Sequence, residues 1–371
     1  MTKTAKILQI KSKIKPHFLS IPSLEDFDYQ EVERIDIDSI INQSNISLYC
    51  LEFSQKIAIF VETNPNINLY QFPFFYQAQY DYAQRLIAVT FEDLSKIAQE
   101  VEKPKKLVII YSVGRCGSTL LNSIFNQIKN TVSFSEPGVY DQLVIMRQWD
   151  GSNDPEISQL VENCTKLLCR SFLSYTQVIK FRSYGIELAD LILKQFPEAK
   201  IIFLYRDAKS WIKSAFRASL GDIPNNIDSL LEIEKEASQI SPLVANYQHN
   251  KSLSYVKILT LAWLSVMERY LSLETQFPSS IAVRFKTLKT SPKQTILELL
   301  KYCDLPITNL HQVLKVLEKD SQANTVLSKA NLNKQEVELT TKDLKEIRET
   351  LKKSLTIVTP DFIVPNTLYL K

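Results

Sequence analysis

The chain has 371 residues, enough for one large domain or two of moderate size with a full hydrophobic core. Apolar residues make up 45% and charged residues 23%, the proportions of an ordinary globular protein. Lysine and arginine number 44 against 41 acidic residues, which argues against a general nucleic-acid binder but leaves room for a local basic pocket.

The five cysteines (Cys50, Cys116, Cys164, Cys169, Cys303) form no CxxC pair, and His17, His249 and His311 are scattered. Neither a zinc site nor a disulfide framework is expected. The N-terminus carries lysines without an apolar signal core, and no apolar run approaches the ~18 residues of a membrane span. The reading is a cytoplasmic chain.

Residues 1–45 are charged and poorly patterned, with a helix expected near 36–41. SLYCLEF (47–53) and KIAIFVET (56–63) read as two strands joined by a turn at Ser54 and Gln55. After Pro65 and Pro73, helices are expected over 76–86 and 91–101. The aromatic stretch LYQFPFFYQAQYDY (69–82) reads as core or seam in preference to a docking surface. Residues 1–100 are taken as a small α+β lobe of unknown role, and 101–371 as the main domain.

That domain is organised around KKLVIIYSVGRCGSTLL (105–121). Residues 107–111 are an apolar, branched run, the pattern of a buried parallel strand. Residues 112–117 break it, and Thr119, Leu120, Ile124 and Ile128 recur at helical spacing, so a helix starts at Ser118. Strand, glycine turn and helix aim backbone N–H groups and a helix N-terminus at one point, which suits a phosphate or sulfate. Two of the six glycines, Gly114 and Gly117, lie in this turn. A nucleotide-triphosphate loop carries lysine after its second glycine. Here Ser118 stands there and the cation is Arg115, which disfavours metal-dependent phosphoryl transfer. The Cys116 thiol lies beside Arg115, though a small residue that merely fits is the favoured reading.

Further on, a strand over 131–134 ends in Ser135, Glu136 and Pro137. A helix over 157–175, a strand over 178–181, a helix over 185–196, a strand over 200–205 and a helix over 208–219 follow. This alternation implies βαβ units and a parallel sheet, whose ligands bind beyond the strands' carboxyl ends. Arg115, Glu136, Lys180, Arg182 and Arg206 all lie at or just after such ends. Residues 222–252 read as an irregular, polar, mobile cap. A helix over 254–275, a strand over 281–285 and helices over 292–303 and 341–355 complete the chain. In IIFLYRDAKSWIKSAFR, Ser214 lies eight residues after Arg206, a spacing that lets a strand-end arginine and a helical hydroxyl grip one phosphate from two sides.

YSVGRCGSTLL followed by IIFLYRDAKSWIKSAFR resembles the sulfotransferases that use 3′-phosphoadenosine 5′-phosphosulfate (PAPS). The resemblance runs from about Lys105 to Asp304 and leaves the first hundred residues uncovered. It implies an α/β fold of three layers, α/β/α, with a central parallel sheet like that of P-loop NTPases. It further implies sulfuryl transfer from PAPS, with the bisphosphate PAP as product and no metal, to a small-molecule or glycan acceptor. Nucleic acid and membrane are not expected partners. By matching positions, Arg115, Cys116, Gly117, Ser118, Thr119 and Leu120 surround the phosphosulfate, and Arg206 and Ser214 bind the 3′-phosphate. Lys180 steadies the leaving oxygen. The small-molecule branch has a histidine base where this chain has Arg182, which stays protonated and cannot be a base. The carbohydrate and tyrosyl-protein branches use a glutamate matched by Glu136, the expected general base; as a bare sequence feature it also reads as a helix-start carboxylate. The late segment usually reads RYEDL and is RFKTL here, leaving Phe285 to pack on adenine. DSQANTVLSK (320–329) offers Ser321 or Lys329 to the nucleotide. The alternatives are an ATP-dependent P-loop kinase with Asp207 holding magnesium, and a nucleotide-binding protein without catalysis.

Overall fold

A computed structural model describes residues 4–170, 175–218, 226–247, 253–276, 279–307, 310–332 and 337–370. Five strands near the N-terminus form one antiparallel sheet: β1 (Thr4–Lys13), β2 (Phe27–Asp36), β3 (Ile46–Glu52), β4 (Ile57–Glu62) and β5 (Arg85–Thr90), in the order β2-β1-β5-β4-β3. β3 and β4 are apolar and buried nearly throughout, and they pair with Ile46 opposite Glu62. β1 and β2 alternate polar with apolar residues, and their pairing slips at Ile7/Leu8 and again at Ile10/Ser12. These bulges and the exposed charges of β2 blunt an otherwise open edge.

The sequence reading anticipated β3 and β4 but not β1, β2 or β5. The expected helix over 76–86 is Phe75–Tyr82, and Leu86 belongs instead to β5. The 91–101 helix is Phe91–Gln99, started by the Thr90 side chain accepting from the Asp93 N–H. The 36–41 helix is the single turn Asp38–Asn42.

The second sheet is parallel and consists of β6 (Lys106–Ser112), β7 (Thr131–Ser135), β8 (Thr176–Lys180), β9 (Lys200–Tyr205) and β10 (Ser280–Arg284), in the order β10-β9-β6-β8-β7. β6 and β9 are buried almost end to end, as their apolar runs require, and β8 is buried throughout although Thr176, Gln177 and Lys180 are polar. The fold is α/β with a parallel sheet, accompanied by the separate antiparallel sheet at the N-terminus.

The chain divides into two compact units. The first comprises residues 1–108, 125–180 and 190–199. Its core gathers Leu8, Phe27, Tyr49, Ile59 and Leu86. The aromatic stretch at 69–82 serves as core here: Phe74, Phe75 and Tyr76 are buried, and Tyr70 and Phe75 meet Phe134 edge-on at 5.1 and 5.5 Å.

The second unit comprises residues 109–124, 181–189 and 200–371. Its long helix Tyr255–Gln276 buries Trp263 and Tyr270, and Tyr270 stacks on Phe203 of β9 with centroids 4.0 Å apart. The expected irregular cap at 222–252 proves to be largely helical among the described residues, as Ile227–Ile240 and Pro242–Ala245. The Asn226 side chain caps the first of these, and the buried carboxylate of Glu234 accepts the Leu253 N–H at 2.9 Å. Its other parts, 222–225 and 248–252, lie outside the described residues. Among the described residues no helix is long and apolar enough to cross a membrane.

Candidate active site

β6 ends at Ser112, and the helix Ser118–Phe125 begins six residues on. In the turn between them Gly114, Arg115 and Gly117 all have positive φ, at 78°, 53° and 88°. Glycine adopts this conformation freely, whereas for Arg115 it costs about 1–3 kcal/mol. Hydrogen bonds to the loop's backbone offset that cost. Trp211 Nε1 donates to the carbonyls of Val113 (2.7 Å) and Gly114 (3.1 Å), and Arg206 Nη1 donates to that of Arg115 (3.3 Å). With its carbonyls drawn inward, the turn leads into a helix whose first N–H groups have no partner within the helix. Ser118 and Thr119 are buried there, and Leu120 is half-buried on the first turn. The Cys116 side chain turns into the core, Sγ 3.4 Å from the Leu204 carbonyl oxygen, so this residue can offer an anion only its backbone.

Arg206 follows β9 directly. Its Nε donates to Ser210 Oγ at 2.7 Å, and its guanidinium lies 4.9 Å from the centre of the Phe285 ring. Burial pulls its pKa below the ordinary arginine value, against the opposing pull of Asp207. Trp263 Nε1 donates to the Arg206 carbonyl at 3.0 Å and fixes the backbone there. Phe285 does not end the last strand, as expected, but opens a short helix, Phe285–Thr290, after β10 closes at Arg284. Its ring is committed to Arg206 on one side and packs within 3.7 Å of where a Gly117 side chain would be. Gly117, a candidate of the phosphate loop, and Phe285, the candidate for packing on adenine, are thus neighbours. Arg206, Arg284, Lys286 and Lys289 line a cleft of about 220 Å³ together with the Phe285 ring.

Arg206 and Ser214, expected to grip one phosphate, each have a side-chain partner of their own. Ser214 Oγ receives Arg115 Nε at 3.4 Å, and Arg115 Nη1 also donates to Gln322 Oε1 at 3.2 Å. The link between the loop cation and the helical hydroxyl runs through Arg115, while Arg206 takes Ser210, one turn earlier. Gln322 comes from the segment in which Ser321 and Lys329 were the candidates.

Glu136 and Lys180 meet in the first unit. Lys180 Nζ forms an ion pair with Glu136 Oε1, and the Glu136 N–H donates to the Lys180 carbonyl at 2.7 Å. Lys180 is buried and lies 5.7 Å from the Phe74 ring centre. Glu136 has a left-handed backbone, φ 58°, at the exit of β7. Like Arg115 in the turn after β6, it is a non-glycine residue held in a costly conformation beyond a strand end, a pattern common where a fold places a working group. A helix does follow, Val139–Met146, with Gly138 at its cap and Glu136 two residues before the cap. Arg182 donates to the Tyr184 hydroxyl at 3.2 Å.

Residue-type reasoning missed Trp211, Trp263, Ser210 and Gln322, which act through backbone and second partners and leave no spacing signal. It also missed Arg284, Lys286 and Lys289, although the run RFKTLKT shows three cations within six residues. Among the described residues no group of three or more histidine, cysteine or acidic side chains is placed to hold a metal ion.

Among solved structures, the chain is similar to mouse sulfotransferase SULT7A1 complexed with PAP (14% identity over 71% of this chain and 89% of that chain, TM-score 0.39). It is also similar to a sulfotransferase from Alicyclobacillus acidocaldarius (13%, 68% and 96%, TM-score 0.40) and to sulfotransferase STF9 from Mycobacterium avium (13%, 72% and 81%, TM-score 0.39). No curated protein sequence matches it. The family profile described as a sulfotransferase domain matches residues 105–356, well over half of the chain. It begins at the strand and turn described above and includes both Arg115 and Arg206. The chain belongs to the sulfotransferase family, and the reaction it catalyses is sulfuryl transfer.

Proposed function

We propose that this enzyme transfers a sulfuryl group in line from PAPS to a hydroxyl or amine of a small-molecule or glycan acceptor, with PAP as the product and no metal. The observation that carries this reading is the turn at 113–118. Its three left-handed residues and inward-held carbonyls lead into a helix N-terminus, with Arg115 and Arg206 joined across it. Such a turn suits an anion that relies on backbone donors and arginines.

The donor supplies the sulfuryl group and departs as the bisphosphate. Backbone N–H groups around Gly117, Ser118 and Thr119, with the Arg115 guanidinium, hold the phosphosulfate. Arg206 and Ser214 hold the 3′-phosphate, and Phe285 keeps the Arg206 plane in place. In line with the glutamate-using branches, the Glu136 carboxylate takes the proton of the acceptor group as the new bond forms. Lys180 and Arg115 stabilise the charge that develops on the leaving oxygen, and one such donor is typically worth roughly 3–4 kcal/mol of barrier.

Thermal unfolding with PAP, ADP and ATP, each with and without magnesium, tests the donor. A ligand at a hundred times its dissociation constant adds about 2.7 kcal/mol. A metal-independent rise of several degrees with PAP, larger than with ADP, is the expected result. A rise only with ATP and magnesium, or none with any ligand, overturns it.

A further inference from the structure

Three consecutive carbonyls of the turn, those of Val113, Gly114 and Arg115, are held by two side chains from the segment that follows β9. The two holders differ in kind. Arg206, which takes the Arg115 carbonyl, is a cation, so an arriving anion competes for it. Trp211, which takes the other two, is a neutral indole that can only donate, and it is 8% exposed. No anion recruits it. The oxygens of Val113 and Gly114 point at this one nitrogen from 2.7 and 3.1 Å, and two such dipoles converge because an N–H lies between them. A trans peptide is planar, so drawing the Gly114 carbonyl to the indole turns the Arg115 N–H the opposite way. Flipping that peptide would put an oxygen where the turn has a donor.

Trp211 is anchored from elsewhere. It lies on the helix Ala208–Ala218, where the Ala208 N–H donates to the Pro360 carbonyl at 2.8 Å. The same helix carries Ser210, the partner of Arg206, and Ser214, which receives Arg115. All of these residues belong to the second unit.

We propose that Trp211 is a positioning residue, which keeps the turn in its anion-accepting form before any ligand arrives and thereby sets the affinity for the 5′ end of the nucleotide but not for the 3′ end. It touches no ligand and acts through the two carbonyls. The proposal rests on the donor reading in one respect: the anion seated at the turn is the 5′ group of that nucleotide.

Calorimetric titration of PAP and of adenosine 3′-monophosphate, which lacks the 5′-phosphate, with the wild-type enzyme and with Trp211→Phe, tests it. Phenylalanine keeps an apolar ring and loses the N–H. In the variant PAP should bind at least tenfold more weakly, and the 3′-monophosphate within twofold of wild type. Ile212→Ala removes buried bulk from the same helix but no donor, so it should lower the melting temperature and leave the ratio of the two affinities unchanged. If Trp211→Phe keeps the wild-type ratio, or Ile212→Ala shifts it as much, the donor reading stands and the role of Trp211 falls. A second measurement decides even if the phenylalanine variant does not fold. In the wild type the Trp211 Nε1–H should exchange with solvent slowly without ligand, and PAP should slow it by no more than twofold. A tenfold slowing would mean that the ligand forms the turn, and overturns the proposal. If the wild type does not bind PAP, the donor reading falls and inorganic sulfate decides. Sulfate binding that Trp211→Phe weakens at least tenfold upholds the role of Trp211, and equal binding, or none by the wild type, overturns it.

Discussion

Glu136 and Lys180 are joined twice, by an ion pair between their side chains and by a backbone bond in which the Glu136 N–H donates to the Lys180 carbonyl at 2.7 Å. The two residues lie at the ends of neighbouring parallel strands, Ser135 pairing with Lys180. The backbone bond fixes the left-handed kink that turns the Glu136 side chain back onto Lys180. A buried ammonium needs such a partner, because removing it leaves an uncompensated charge.

Glu136→Gln separates the two roles of this carboxylate. The amide keeps the size and one acceptor oxygen but cannot take a proton. Sulfuryl transfer should fall at least a hundredfold, which is about 2.7 kcal/mol of barrier, while PAP affinity stays within twofold. Stability should also fall by about 1–3 kcal/mol, since Lys180 loses its charged partner. Glu136→Gln/Lys180→Met should recover the melting temperature and not the activity. A single variant that transfers sulfuryl groups at the wild-type rate would remove Glu136 from the mechanism.

Phe285 is expected to act on the nucleotide through Arg206. Phe285→Leu removes the ring beneath the guanidinium, an interaction worth about 1 kcal/mol, and PAP binding should weaken roughly fivefold. Phe285→Tyr keeps the ring and should bind as the wild type does. Equal affinities for the leucine and tyrosine variants, measured by titration calorimetry, would show that the ring does not hold the arginine.

The parallel sheet and its charged strand ends were legible because buried parallel strands are written as unbroken apolar runs. LVIIY and IIFLY leave little other choice. β1 and β2 were not legible for the opposite reason. TAKILQIKSK and FDYQEVERID are half-exposed, interrupted by bulges and held by pairing with each other and with β5. Their strand character lies in tertiary contacts, not in local pattern. At the site, Arg115 and Arg206 announced themselves by position after strands. The side-chain partners they take, Ser214 for Arg115 and Ser210 for Arg206, depend on which way two long side chains turn, and spacing alone carries no record of that.

Gly117 is the loop position where a side chain should be least tolerated. Its φ is 88°, and an added Cβ would lie 2.9 Å from Leu288 Cδ2. Gly117→Ala should cost about 1–3 kcal/mol from the backbone alone, whether or not the leucine side chain moves aside. A denaturation midpoint lowered accordingly, together with loss of the PAP-induced rise in melting temperature, is the expected result. Leu288→Ala added to it should not restore binding, because the conformational cost remains. Full rescue by that second change would place the whole effect in the side-chain contact.

Stability should fall on the alkaline side, and Tyr270 gives the sign. Burial raises its pKa from the ordinary 10.0 to about 12, with its hydrogen bond to Ser280 pulling the other way. Between those values the folded state keeps a proton that the unfolded chain gives up, so stability decreases as pH rises through the interval and is unaffected below it. Burial pushes Tyr49, Tyr205 and Tyr302 in the same direction, so the losses accumulate. Urea midpoints measured from about pH 8 to about pH 11.5 should be flat at first and then drop steeply. Tyr270→Phe keeps the stack on Phe203 and gives up the 3.1 Å bond to Ser280, a loss of about 1 kcal/mol at neutral pH. Above about pH 10 the variant should decline less steeply than the wild type and close much of that gap. Parallel curves for the two proteins would mean that Tyr270 does not contribute to the alkaline transition.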